Sequence, residues 1–208
     1  GLPSISLAVG EPQHAVPSFV GPVLAAHIAD FGRYPMNKGL DAFCIAAADW
    51  LARRFPLPRQ PDPNTEILIL NGSREGLFFA ALPAVGRKGF AGRPLMLLPN
   101  PFYQAYLGAT LGTNCEPYYL NATAETGHLP DLEALAREPE ILQRAAAFYL
   151  CSPANPQGAV ATPDYLRQAL ALARQYDFML FLDECYSEIY SGQDAPTGGL
   201  QIGAATPE

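Results

Sequence analysis

From residue 66 onward, short apolar runs alternate with helical patterns, and this alternation restricts the fold more than any other feature of the sequence. Helical patterns begin near Ser73, cover about 103–112, open at Asp131 and extend from Pro163 to Tyr176. The apolar runs between them are EILIL (66–70), PLMLL (94–98), CEPYYL (115–120), AAFYLC (146–151) and FMLFLD (178–183). Such alternation is typical of a mostly parallel sheet with helices on both faces. The sequence therefore predicts an α/β fold.

The helix predicted from Pro163 to Tyr176 carries the clearest local signals. Thr162 can cap its first turn, Pro163 suits the first helical position, and Asp164 complements the positive end of the helix dipole. Apolar residues recur along one face of this helix. Because it lies between two apolar runs, the three segments together are expected to form a right-handed crossover unit.

The first part of the chain has a different character. It begins with a Pro/Gly-rich stretch, GEPQHAVPSFVGP, followed by helical patterns near 18–31 and 40–54. The segment PLPRQPDPN then places four prolines between Pro56 and Pro63, as in a linker. We therefore predict an N-terminal arm with helices over residues 1–60 and an α/β domain over residues 61–208.

Composition excludes several classes of partner. The net charge is −7, and lysine and arginine are not clustered, which argues against a nucleic-acid partner. No apolar run approaches the length needed to cross a bilayer, and the start GLPSISLAVG lacks the charged and apolar blocks of a signal peptide. We expect a soluble, cytoplasmic protein without a membrane partner.

The cysteines and histidines do not follow the spacing of metal ligands. The four cysteines, at positions 44, 115, 151 and 185, are far apart in the sequence and include no C-x-x-C pair. They are expected to be small buried apolar residues in a reducing compartment. The three histidines, at positions 14, 27 and 128, are also far apart. The sequence therefore predicts no metal site.

Candidate site residues follow the apolar runs. In an open parallel sheet, ligands bind beyond the carboxyl ends of the strands. The segments at those positions are NGSRE (71–75), PNPFYQAY (99–106), SPANPQG (152–158) and DECY (183–186). They bring phosphate-binding backbone N–H groups, aromatic rings, an amide, a carboxylate and a phenol to one edge. Each signal alone also fits a cap, a turn or a packed aromatic residue. Together they suit a planar, phosphorylated, nitrogen-containing aromatic ligand.

The order of these motifs resembles that of the class I/II aminotransferases, pyridoxal-phosphate enzymes of fold type I. The resemblance extends over nearly the whole chain, through SLAVGEPQH, RYPMNKGL, NGSREGLF, PNPFYQAY, CSPANPQGAV and DECYSEIY. Within the family, NGSREGLF, PNPFYQAY and DECYSEIY look most like the succinyldiaminopimelate aminotransferases of lysine biosynthesis. The resemblance implies a pyridoxal 5′-phosphate-dependent enzyme that transfers an amino group from an amino acid to a keto acid or semialdehyde.

The resemblance assigns roles around the pyridine ring. Asp183 would face the protonated ring nitrogen, where the opposite charges favour each other's charged forms. A protonated ring is a strong electron sink, which is the chemistry that transamination requires. Asn155 and Tyr186 would hydrogen-bond the phenolic oxygen of the cofactor, and Asn155 would also contact substrate.

Other positions would hold the rest of the ligand. Tyr103 would stack on the ring, a contact worth about 0.5–1.5 kcal/mol beyond burial. Ser73 and Arg74 would hold the phosphate, largely through backbone N–H groups. Gly10 matches the loop that binds the substrate carboxylate, where the missing side chain leaves room for the amino acid.

Tyr34, in RYPMNKG, matches a tyrosine that reaches the phosphate of the neighbouring subunit. The resemblance thus implies a homodimer with shared sites. An ordinary packed aromatic residue in a loop is the alternative interpretation of Tyr34.

The chain departs from the family pattern in one important respect. The lysine that forms a Schiff base with the cofactor is expected after a further strand downstream of Asp183, but no lysine follows that residue. The two lysines present, Lys38 and Lys88, lie in segments that favour solvated surface charges. We therefore expect this chain to be the arm and part of the large domain, without the C-terminal small domain, and unable to complete transamination alone.

Other functions stay open at this point. A β-lyase or synthase can use the same scaffold, since fold does not determine reaction. A catalytically incomplete remnant that binds a cofactor or a partner is a further alternative. A dinucleotide-binding dehydrogenase is disfavoured because no G-x-G-x-x-G follows any apolar run.

Overall fold

The computed structural model describes residue 4, residues 14–192 and residues 194–206. Its contacts divide the chain into two compact units, Gly1–Asn37 and Lys38–Glu208. The described part of the first unit contains helix α1 (Val20–Ala26) and a 3-10 helix (Ile28–Gly32), close to the helical pattern predicted near 18–31. Within the described residues, no helix is both long and apolar enough to cross a bilayer.

The second unit contains the sheet and the remaining helices. Its strands are β1 (Leu95–Asn100), β2 (Glu116–Asn121), β3 (Ala145–Cys151) and β4 (Met179–Asp183). A short 3-10 helix covers Ala124–Thr126. The α-helices are α2 (Asp41–Arg54), α3 (Ser73–Phe79), α4 (Ala81–Val85), α5 (Gln104–Gly112), α6 (Leu132–Ala136), α7 (Pro139–Arg144), α8 (Pro163–Tyr176) and α9 (Gly199–Ala205).

The four strands form one parallel sheet in the order β2-β1-β3-β4. Strands β1 and β3 are central, and their side chains are buried except at Asn100. A fully buried strand requires cover on both faces, so the continuous apolar runs LMLLP and AAAFYLC belong at the centre. The α/β fold predicted from the sequence is confirmed.

Helices cover both faces of the sheet, and successive residues of a strand pack against opposite layers. Leu97 and Phe148 belong to a cluster with residues of α6, α7, α8 and α9. Met96 and Tyr149 belong to a second cluster with residues of α4 and α5. This period of two places the side chains of each strand alternately on the two faces.

Helix α8 matches its prediction at both ends. The side chain of Thr162 accepts a hydrogen bond from the backbone N–H of Tyr165, and Pro163 occupies the first turn. The helix ends at Asp177, which adopts a left-handed conformation with φ of 51°. Strand β4 follows at once, so α8 is the crossover connection between β3 and β4.

The prediction of a strand at 66–70 is wrong. Residues 67–70 have no regular secondary structure, and Leu68 and Leu70 are exposed. An apolar run becomes a strand only where another strand supplies hydrogen-bonding partners. Within the described residues, the sheet is bounded by β2 and β4, and neither edge pairs with this segment. Helix α3 still begins at Ser73, as predicted.

Candidate active site

A cavity lies beyond the carboxyl ends of β1, β3 and β4, where the sequence predicts a site. Its walls come from the segments after each of these strands, together with the start of α3 and the loop after β2. Residues that line it include Ser73, Phe102, Tyr103, Tyr106, His128, Cys151, Asn155, Gln157, Asp183, Cys185 and Tyr186.

Asp183 is the last residue of β4 and provides the carboxylate of the cavity. It is 8% exposed, and it is paired in register with Cys151 at the end of β3. Its Oδ2 accepts a 2.7 Å hydrogen bond from Tyr106, and its Oδ1 accepts a longer one, at 3.3 Å, from the backbone N–H of Cys185. No arginine or lysine of the described residues forms an ion pair with it. The carboxylate is thus buried at the cavity wall without a basic partner.

Tyr106 holds this carboxylate, and sequence reasoning did not identify it. Its ring stacks on Tyr149 at a centroid distance of 4.7 Å and meets Tyr103 edge-on at 5.8 Å. Burial, and secondly the adjacent charge of Asp183, raise the pKa of the Tyr106 hydroxyl well above its ordinary value. The hydroxyl therefore remains protonated and donates to Asp183. A sequence signal did exist, because Tyr106 lies three residues after Tyr103 and so shares its face at the start of α5.

Tyr103 presents its ring to the cavity from the position just before α5. The Nε of Arg74 donates a 2.7 Å hydrogen bond to the Tyr103 hydroxyl, and the guanidinium carbon lies 5.8 Å from the centre of the ring. The side chain of Arg74 is thus engaged in orienting Tyr103. Ser73, the first residue of α3, lines the cavity. No side chain caps α3, so its first N–H groups are available to an anion.

Asn155 and Tyr186 both line the cavity and contact each other. The Nδ2 of Asn155 donates to the hydroxyl oxygen of Tyr186 at 3.2 Å. Asn155 projects from a tight turn that ends at Gly158, whose φ of +71° suits glycine. Burial is the main cause that raises the pKa of Tyr186. An amide and a protonated phenol therefore lie together, and both can donate hydrogen bonds.

Arg54 anchors the segment that carries Tyr186. Its side chain is 11% exposed and forms an ion pair with Glu188. The same guanidinium donates to the backbone carbonyls of Ser187, at 2.9 Å, and Pro196. Sequence reasoning missed this arginine because its partners are remote in the sequence. Its contacts fix the chain just after Asp183 against the end of α2.

The sequence also points to Gly10, Tyr34 and two lysines. Gly10 lies outside the described residues. Tyr34 belongs to the first unit, and its side chain is fully exposed. Lys38 pairs with Asp41 at 2.9 Å, and Lys88 donates to the carbonyl of Tyr176. Neither lysine lines the cavity. Lys88 is partly buried, which differs from the solvated surface charge expected from the sequence.

The cysteines divide into two groups. Cys44 and Cys115 are buried away from the cavity lining, as expected of small apolar residues. Cys151 and Cys185 both line the cavity and flank Asp183, although they are far apart in sequence. Cys151 is buried, but Cys185 is exposed, so the expectation that all four cysteines are buried is wrong for Cys185. Burial is the main cause that raises the pKa of both thiols, and that of Cys185 reaches about 12. Both are thiols at neutral pH.

These groups fit a flat, phosphorylated pyridine. A buried carboxylate without a basic partner can accept a ring N–H, and the face of Tyr103 can pack against an aromatic ring. The donors of Asn155 and Tyr186 suit a phenolic oxygen. The uncapped start of α3 offers N–H groups to a phosphate.

Comparisons with known proteins point in the same direction. The sequence model of the family "Aminotransferase class I and II" matches residues 3–205. An LL-diaminopimelate aminotransferase of Moorella thermoacetica is 36% identical over 200 residues, which cover 95% of this chain and 49% of that enzyme. Its counterpart in Syntrophobacter fumaroxidans is 32% identical over 207 residues, covering 99% of this chain and 51% of the other. The chain thus spans about half the length of the curated relatives it matches.

Solved structures show the same similarity in three dimensions. The crystal structure of an aminotransferase from Neisseria meningitidis matches with a TM-score of 0.88 and 35% identity, covering 99% of this chain and 50% of that one. The aminotransferase AspB of Helicobacter pylori matches with a TM-score of 0.84 and 31% identity, over 96% of this chain and 50% of that one.

Proposed function

The chain belongs to the class I and II aminotransferase family, and on that premise we propose that its cavity binds pyridoxal 5′-phosphate for transamination. Members of this fold type I family use that cofactor. When bound, it supplies an electron sink for the electrons of a broken C–H bond of the amino acid. The rest of the proposal concerns what the residues of this chain contribute.

One observation carries the proposal: Asp183 is a buried carboxylate that faces the cavity, receives a hydrogen bond from Tyr106, and has no basic partner within the described residues. A charge without compensation is costly to bury, so a cationic ligand group is expected beside it. The protonated nitrogen of a pyridine ring meets that need. Asp183 would keep the ring nitrogen protonated, because the two opposite charges stabilise each other.

The neighbouring side chains orient the ring. Tyr103, held by Arg74, would pack against one face and exclude water from it. Asn155 and Tyr186 would donate hydrogen bonds to the phenolic oxygen and so fix the rotation of the ring in its plane. Ser73 and the first N–H groups of α3 would hold the phosphate. These residues bind and position, and the lysine that the family needs for proton transfer is not in this sequence.

The substrate proposed is a diaminopimelate of lysine biosynthesis. Two of the similar proteins are named LL-diaminopimelate aminotransferase, which supports the diaminopimelate skeleton and not the succinyl group. We place Gly10 and Asn155 at the substrate carboxylate. A homodimer is part of the proposal, with Tyr34 reaching the phosphate of the second subunit. The full exposure of Tyr34 leaves its phenol available for such a contact.

Ligand binding tests the first half of the proposal. Pyridoxamine 5′-phosphate is the suitable probe, because it lacks the aldehyde that would react with Lys38, Lys88 or the N-terminus. Equilibrium dialysis of the 208-residue chain should show one saturable site. Binding of pyridoxamine without the phosphate should be much weaker. Equal binding of the two ligands, or no saturable binding by a folded chain, would contradict the proposal.

Activity tests the second half, and it is measured on the polypeptide as the gene encodes it. That enzyme should convert 2-oxoglutarate to glutamate with LL-diaminopimelate or its N-succinyl derivative as amino donor. Preference for the free diaminopimelate would agree with the names of the similar proteins, and preference for the succinylated one would agree with the motif resemblance. Release of ammonia without an amino acceptor would show a lyase instead.

A further inference from the structure

Two thiols and one carboxylate converge at the base of the cavity. The ligand atoms of Cys151, Asp183 and Cys185 all lie within 4.8 Å of one another. Cys151 and Asp183 are register partners at the ends of β3 and β4, and Cys185 follows two residues later. Both cysteines are free thiols. From this cluster we propose that Cys151, Asp183 and Cys185 form a binding site for a thiophilic divalent cation of the zinc type.

The three ligand atoms are slightly farther apart than the ligand atoms of a zinc ion. Zinc binds thiolate at about 2.3 Å and carboxylate oxygen at about 2.0–2.2 Å, so tetrahedral ligand atoms lie roughly 3.5–3.8 Å apart. The three atoms of this cluster must therefore approach one another by at most about 1.3 Å. Cys185 lies after the end of β4 and is exposed, so its side chain can make that adjustment by rotation.

The present contacts of the three side chains leave room for a cation. The Cys151 thiol donates to the carbonyl of Pro153, at 3.2 Å, and this bond is given up when the thiol loses its proton. Asp183 uses one oxygen for Tyr106 and the other for a long contact with a backbone N–H, so lone pairs remain on both oxygens. Because Cys185 is exposed, a cation can reach its thiol from solvent.

The ligand set selects the kind of metal. Two sulfur ligands favour zinc, cadmium and cobalt over magnesium and calcium, which prefer oxygen. Three protein ligands leave a fourth position for water. On binding, two metal–sulfur bonds form, two S–H bonds break, and two protons pass to the buffer. No oxidant or reductant is involved.

Asp183 connects this site with the proposed function. If the carboxylate binds a cation, it can no longer accept the ring N–H of pyridoxal phosphate. The cation and the cofactor should therefore exclude each other, a consequence that rests on the proposed function. The cation site itself does not depend on it.

Cobalt(II) is the probe that tests the site directly, because thiolate-bound cobalt has an intense charge-transfer absorption. The 208-residue chain, reduced and without cofactor, should bind one equivalent of cobalt with that absorption. Cys185→Ser removes an exposed ligand and should weaken cobalt binding at least about tenfold. Cys151→Ser with Cys185→Ser should abolish the absorption. Cys115→Ser is the matched control, since Cys115 is also a free cysteine but does not line the cavity, and its binding should equal that of the wild type.

Two results would contradict the proposed cation site. Absence of the thiolate–cobalt absorption in a folded wild-type chain, or a cobalt dissociation constant in Cys185→Ser equal to that of the wild type, overturns the proposed site. Circular dichroism establishes that each variant is folded, and Cys185→Ser alone decides the matter should the buried Cys151→Ser variant be unstable.

A competition experiment separates the two proposals. Pyridoxamine 5′-phosphate should raise the apparent cobalt dissociation constant in proportion to its concentration. If pyridoxamine 5′-phosphate binds and leaves cobalt binding unchanged, the two ligands do not share Asp183. Absence of pyridoxamine phosphate binding would count against the proposed function and leave the cobalt result as the separate test of the metal site.

Discussion

The Tyr106 hydroxyl lies 2.7 Å from Oδ2 of Asp183, and both residues are buried at the edge of the sheet. The tyrosine is itself held between Tyr149, on which it stacks, and Tyr103, which it meets edge-on. The two hydrogen bonds to this carboxylate hold it in one orientation before any ligand arrives. The site is therefore preorganised for a cation of defined position.

Replacement of Tyr106 by phenylalanine tests this support. The substitution removes a hydrogen bond to a charged acceptor and leaves the aromatic stack, so the free energy of unfolding should fall by about 1.5–3 kcal/mol. Urea denaturation measures it. Tyr165→Phe is the matched control, because the Tyr165 hydroxyl donates at 2.8 Å to the neutral carbonyl of Pro130. The loss of this hydrogen bond should lower the free energy of unfolding by about 0.5–1.5 kcal/mol. A smaller loss of unfolding free energy in Tyr106→Phe than in Tyr165→Phe would contradict the account.

Arg54→Lys tests the anchor of the segment after Asp183. A lysine ammonium cannot reach Glu188 and the carbonyls of Ser187 and Pro196 together, because it lacks the planar fork of the guanidinium. We expect a loss of about 1.5–3 kcal/mol in unfolding free energy and faster proteolysis within residues 184–198.

The control for this anchor is Arg59→Lys, since Arg59 also forms an ion pair with a glutamate, Glu66, but is largely exposed. Little change in stability is expected there. Equal proteolysis rates in the Arg54 variant and the wild type would show that the segment does not depend on the anchor.

Glu184 should make stability depend on pH. Burial is the main cause that raises the pKa of this carboxyl, although the N–H of Gly199 donates to it. A raised folded-state pKa contributes stability that is fully present below the ordinary value of about 4.5 and is lost as the pH rises through the raised value. Glu184→Gln has no charge to bury. Its unfolding free energy should therefore increase relative to the wild type as the pH rises from about 4 to 8.

Urea denaturation across that pH range checks this, with the exposed Glu133→Gln as control. The control should track the wild type. A Glu184→Gln curve parallel to that of the wild type would mean that burial of this carboxyl has no effect on stability.

Much of the fold could be predicted from local sequence. The runs at 94–98, 115–120, 146–151 and 178–183 each overlap a strand of the sheet, and helices or turns separate them as the sequence pattern indicates. The run at 66–70 has the same character and is not a strand, because pairing depends on a neighbour that a local pattern does not contain.

Chain order was sufficient to predict that some of the candidate residues lie near one another, whereas packing determines the positions of others. The end of β4 delivers Asp183, and the turn at 152–158 delivers Asn155, so their meeting with Tyr186 at one edge follows from strand order. The role of Tyr106 depends on the rotation of α5 and on a stack with a residue of β3. The approach of Cys151 to Cys185 depends on the register of β3 and β4.

The central claim is that Asp183 recognises the protonated ring nitrogen of the cofactor. Asp183→Asn tests it most directly, in a binding experiment with two ligands. These are pyridoxamine 5′-phosphate and its carbocyclic analogue, in which a C–H replaces the ring nitrogen. The control is Asp177→Asn, at the opposite end of β4, where asparagine tolerates the left-handed backbone. The wild type and the control should prefer the pyridine by about 10- to 100-fold, as expected for a charged hydrogen bond, and Asp183→Asn should lose most of that preference. An unchanged preference in Asp183→Asn would contradict the account.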